Sequence, residues 1–130
     1  MLHEFRNGET VEAYQHVNGG GWVADTAHVD ETAYVGPNAE VWGGAWVAGE
    51  ACISDKACIY GDACVYGYAQ VYDEACVYGS AHVFGHAHVA SDACVYGLAW
   101  VYSLAYVCGE ARVHGVAKIN EGTLACDKVM

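Results

Sequence analysis

Basic side chains are scarce in this sequence: Arg6, Lys56, Arg112, Lys118 and Lys128 are all it has. Proteins that hold nucleic acid cover phosphates with Lys and Arg, so direct DNA or RNA binding is excluded as an expectation. Sixteen acidic residues leave a net charge of −11, which admits a basic protein partner. It also keeps a chain that is 55% hydrophobic in solution. Long apolar runs are missing too, and without some 20 consecutive apolar residues no helical membrane span is expected. The opening Met1-Leu2-His3-Glu4-Phe5-Arg6 lacks the charged-then-apolar plan of a secretory leader, which sets a cytoplasmic expectation. Seven cysteines are an odd number, spaced by a repeat rather than as staples, and reduced thiols are expected.

The repeat is what the sequence has in abundance. From Val17 to Ile119 every sixth residue is Val or Ile, eighteen in succession, and from Ala27 to Ala117 sixteen alanines stand two places before them. The unit is Ala-x-Val-x-Gly-x, as in Ala63-Cys64-Val65-Tyr66-Gly67-Tyr68. Residues two apart on an extended strand share a side, so each unit turns one small and one branched residue inward. Gly follows at Gly43, Gly61, Gly67, Gly79, Gly97 and Gly115, or Asp, Ser or Pro at Asp55, Asp73, Ser91 and Pro37, where a corner is needed. Short strands ended by corners every six residues wind rather than form hairpins. Alanine at alternate inward sites leaves a narrow tube.

This unit resembles the hexapeptide repeat of left-handed parallel β-helices, over nearly the whole chain. The resemblance implies a single-domain, all-β triangular solenoid with three repeats per coil and about five to six coils. Ordinary crossovers are right-handed, so the left hand is implied by the resemblance alone. The segments are read as an N-terminal cap over 1–16, the repeat over 17–121 and a C-terminal cap or tail over 122–130. The nearest look-alikes are loop-free bacterial and phage solenoids of unassigned activity.

Three-fold winding stacks residue n on n+18 and sorts the outward side chains. The first face takes Trp46, Cys64, His82 and Trp100 beside Tyr66, Phe84 and Tyr102, with Leu98 and Leu104 at its corners. The second takes Tyr34, Cys52, Gln70, His88 and Tyr106. The third takes Glu40, Cys58, Cys76, Cys94 and Arg112 beside Trp42, Tyr60, Tyr78 and Tyr96. Asp55, Asp73, Glu74, Asp92 and Glu110 collect as an acid strip between second and third faces. The apolar stripe Trp46, Tyr66, Phe84, Leu98, Trp100, Tyr102 and Leu104 is the expected interface, since enzymes of the resembling family form side-by-side homotrimers.

Candidate chemistry is thin. His82, His86 and His88 are the one dense histidine group, and γ-class carbonic anhydrases, which share the fold, bind zinc through three histidines. Exposed strand histidines are the preferred reading, and no cofactor is expected. Directly stacked Cys58, Cys76 and Cys94 present poor bridging torsions and are read as small half-buried hydrophobes. Hexapeptide acyltransferases interrupt their repeats with a long loop, and no interruption occurs here between Val17 and Ile119. The expectation is a non-enzymatic oligomeric solenoid, a trimer by preference, acting as a binding or scaffold protein. Its rivals are an acidic, nucleic-acid-mimicking inhibitor of a basic-grooved enzyme, and an acyltransferase or carbonic-anhydrase-like enzyme.

Overall fold

The computed structural model of the chain describes residues 1–120 and the backbone of 124–126. The inward pattern of the repeat is realised as written. Repeat valines and isoleucines from Val23 to Ile119, and repeat alanines from Ala27 to Ala111, fill one continuous buried column. Val17 is the exception: it is 81% exposed, because the chain has not yet entered the solenoid at that point.

Strands of two or three residues recur along the repeat, and from Trp22–Ala24 to Tyr106–Cys108 each pairs in parallel with the strand eighteen residues later. Cys64 lies opposite His82, Gln70 opposite His88, and Cys76 opposite Cys94. Three strands therefore complete a turn, and the result is an all-β solenoid of about 5 turns. Its three parallel sheets carry the three faces, and no described residue is helical. Each turn is fastened to the next along strands and corners alike. Cys64 donates its N–H to the Ala81 carbonyl at 2.9 Å, Tyr66 to Val83 at 2.9 Å, and Tyr68 at the corner to Gly85 at 2.8 Å. Backbone pairing is thus satisfied largely between turns, while at the corners the repeat alanines donate within their own turn, as Ala75 does to the Tyr72 carbonyl at 3.2 Å.

The corners need left-handed backbone. At Gly79 φ is +68°, and an added Cβ would meet the Gly97 nitrogen at 2.8 Å. Non-glycine corners reach the same region at Asp55 (φ 54°), Asp73 (59°), Ser91 (58°) and Ser103 (56°), a region Asp tolerates better than most residues. Two of these carboxylates do more than tolerate it. Asp55 accepts the Asp73 N–H at 3.1 Å, and Asp73 accepts the Ser91 N–H at 3.0 Å.

The first strands follow another plan. β1 (Leu2–Glu4) pairs antiparallel with β2 (Thr10–Gln15), and β2 pairs antiparallel with β3 (Trp22–Ala24), the first strand of the third sheet. Asn7-Gly8, with Gly8 at φ +90°, turns this hairpin. The hairpin prolongs the sheet and curls back over its outer surface. Phe5, Ala13, Ala24, Trp42 and Cys58 form a second small core beneath it.

The loop after β2 covers the opening edge of the second sheet. The Val35 N–H donates to the Asn18 carbonyl, the Gly21 N–H donates to the Val35 carbonyl, and His16 and Asn18 side chains meet the Ala33 carbonyl. At the other end, the backbone of Leu124–Cys126 adds in parallel to Tyr106–Cys108. The rest of the expected 122–130 cap lies outside the described residues.

Candidate functional site

The first face is where the sequence concentrates its apolar stripe, and the register assembles it. Tyr66 and Phe84 stack with centroids 4.9 Å apart and planes 1° from parallel, and Phe84 and Tyr102 stack at 5.3 Å and 8°. Trp100 meets Phe84 edge-on at 5.8 Å and takes the Lys118 ammonium over its ring at 5.1 Å. Stacking half-buries Tyr66, Phe84 and Tyr102, whereas Trp100 is 41% exposed, Trp46 51%, Leu98 60% and Leu104 59%. Exposed Tyr106 and Val116 extend the apolar surface around the last described turns. Trp46 stands apart, on the strand before Cys64, and packs on His28 at 4.2 Å.

The third face holds the other concentration of groups. Trp42, Tyr60, Tyr78, Tyr96 and His114 form one ladder with successive centroids 4.5 to 5.2 Å apart, and Phe5 closes its upper end at 5.5 Å. Beside it run Glu40, Cys58, Cys76, Cys94 and Arg112 in direct register. His3 stacks on Trp22 at 4.3 Å and bonds Glu40 at 2.9 Å. Arg6 donates to the Lys56 and Asn38 carbonyls and reaches Cys58 Sγ at 2.7 Å. Below the guanidinium opens a cleft of about 440 Å³ whose walls include Trp42, Cys58, Tyr60, Glu74 and Cys76.

No protein-family model, curated protein or solved structure matches this chain.

The cleft's own chemistry is uneven. The neighbouring Cys76 thiol, and next the Arg6 charge, pull the Cys58 thiol below the usual cysteine value against its burial. Their hydrogen bond acts in reverse on Cys76, which is pushed up to about 11. Cys94 is raised as well, by its interaction with Cys76 and by burial. Burial, followed by the adjacent thiols, lifts Tyr60 to about 12.

The three histidines of the sequence do not converge. His82 leans on Trp100, His86 stacks on the exposed corner residue Tyr68, and His88 stacks on Tyr106 near the Tyr72 hydroxyl. Among the described residues no three His, Cys, Asp or Glu side chains are grouped to hold a metal ion. The acid-strip residues Asp55, Asp73, Glu74, Asp92 and Glu110 are all exposed at one corner, interrupted by Lys56. Cys52, Cys58, Cys64, Cys76 and Cys94 are free thiols. Cys108 is disulfide-bonded, which corrects the all-reduced expectation; its strand register sets it opposite Cys126.

Sequence reading missed the cleft, because it placed Arg6 in an irregular cap. The signal was present: Asn7-Gly8 between the runs Leu2–Glu4 and Thr10–Gln15 is a hairpin signature.

Proposed function

We propose that this chain is a left-handed solenoid that works as a binding or scaffold protein by self-association, its first face packing against copies of itself in a side-by-side trimer. The observation that carries the reading is the exposure of Leu98, Trp100 and Leu104 around a ring ladder that runs unbroken through Tyr66, Phe84 and Tyr102. Apolar side chains on one continuous rigid surface are what a homo-oligomer buries. Aromatic residues at its centre carry most of such an interface's energy. The family the repeat resembles associates the same way.

Light scattering tests it. The parent should show a multiple of 13.8 kDa, and Phe84→Asp/Trp100→Ala should fall to the monomer mass. A monomeric parent overturns self-association. The exposed acid corner then becomes the ground for capture of a basic protein, which rising salt should weaken.

A further inference from the structure

Cys58 is set apart from the other free thiols by what touches it. Cys52 and Cys64 are raised by burial and by the neighbouring carboxylates Asp55 and Asp62. Cys58 instead faces the Arg6 guanidinium, held in place by two backbone carbonyls. Its side chain is packed under the hairpin at 4% exposure and reaches solvent through the cleft it shares with Cys76. A cation, a guarded approach and a second thiol one rung away are the parts of a reactive cysteine pair.

We propose that Cys58 is a hydroperoxide-reactive thiol and that Cys76 resolves it. The Cys58 thiolate attacks the distal peroxide oxygen: an S–O bond forms, the O–O bond breaks, and the leaving alkoxide takes a proton from water. Arg6 holds the thiolate and faces the charge that departs. The Cys76 sulfur then attacks Cys58: an S–S bond forms, the S–OH bond breaks, and the hydroxide leaves as water with the Cys76 proton. Two electrons from the pair have reduced one peroxide to an alcohol and water. Adjacent rungs stand about 4.8 Å apart, inside the Cα range of roughly 4.4–6.8 Å that a disulfide spans. Direct stacking strains that bridge, and a strained bridge is the more easily reduced, so a small-molecule thiol returns the pair to its starting state. Glu40, Lys56, Glu74 and Tyr60 also surround the pair.

The test uses the intact chain, tert-butyl hydroperoxide in limiting amount, alkylation of remaining thiols, and peptide mapping with a protease that cuts after Tyr. The expected product is a Cys58–Cys76 linked pair, formed about tenfold faster than any oxidation at Cys64. With Cys76→Ser the sulfenic acid persists at Cys58 and is trapped by dimedone. Arg6→Gln slows the reaction, while Arg6→Lys retains part of it. Cys58 oxidised no faster than Cys64 in the parent protein overturns the proposal, as does dimedone labelling at another cysteine in Cys76→Ser. These readouts are independent of oligomer mass, so their failure leaves the self-association reading standing.

Discussion

Phe84 lies flat on Tyr66, 4.9 Å between ring centroids and 1° from parallel, although eighteen residues separate them in the chain. The ladder is part of the solenoid wall as well as part of the surface proposed to pack against a copy. Phe84→Asp should therefore lower both stability and assembly, and Trp100→Ala, at a 41% exposed position, should lower assembly with a smaller loss of stability. Light scattering beside a melting curve separates the two. Loss of mass in Trp100→Ala with a smaller fall in melting temperature than in Phe84→Asp is the expected outcome.

The tube interior leaves no room beyond its alanines. Ala75 is fully buried in the column that Val65, Val71 and Val77 line. Ala75→Leu overpacks it at a cost of about 1–3 kcal/mol, and thermal denaturation should register a clear drop. An unchanged melt would contradict an inward Ala75.

Asp73 is a fastener. It sits at φ 59° and accepts the Ser91 N–H at 3.0 Å. Asp73→Ala loses the bond and keeps the backbone cost, so it should destabilise by about 1 kcal/mol. Asp73→Gly loses the bond but relieves the backbone, and should melt above Asp73→Ala. The reverse order would place the corner's stability elsewhere.

Phe5 holds the hairpin to Trp42 at 5.5 Å and is 2% exposed. Phe5→Ala should cost up to about 3 kcal/mol, and the hairpin should lift before the solenoid melts. Faster alkylation of Cys58, with Cys64 unchanged, reports that local opening.

Asp30 accepts the Gly49 N–H at 3.0 Å and the His28 ring at 2.7 Å. The Gly49 bond first, then His28, holds its carboxyl below the usual value. A depressed carboxyl stabilises the fold above its unfolded pKa, and that contribution is lost as pH falls through the folded value. Asp30→Asn should therefore flatten the fall of melting temperature below the usual carboxylate range. An unaltered acid limb would count against the linkage.

The six-residue period by itself determined the all-β solenoid, the inward alanines and valines, and the stacking of Tyr66 on Phe84 or Cys58 on Cys76. A strict period leaves each side chain one neighbour above and one below, so arithmetic on the numbering places it. The period says nothing where it stops. Only the folded chain brings Arg6 fifty-two residues along to Cys58, and buries Trp42 and Cys58 at 6% and 4% under a hairpin. It alone turns Asp55 and Asp73 from surface charge into corner bonds, and separates His82, His86 and His88 onto different rings. Those outcomes depend on which way a non-repeating segment curls and on which nearby group a side chain meets. Such choices are set by packing in three dimensions and leave no regular mark on the sequence.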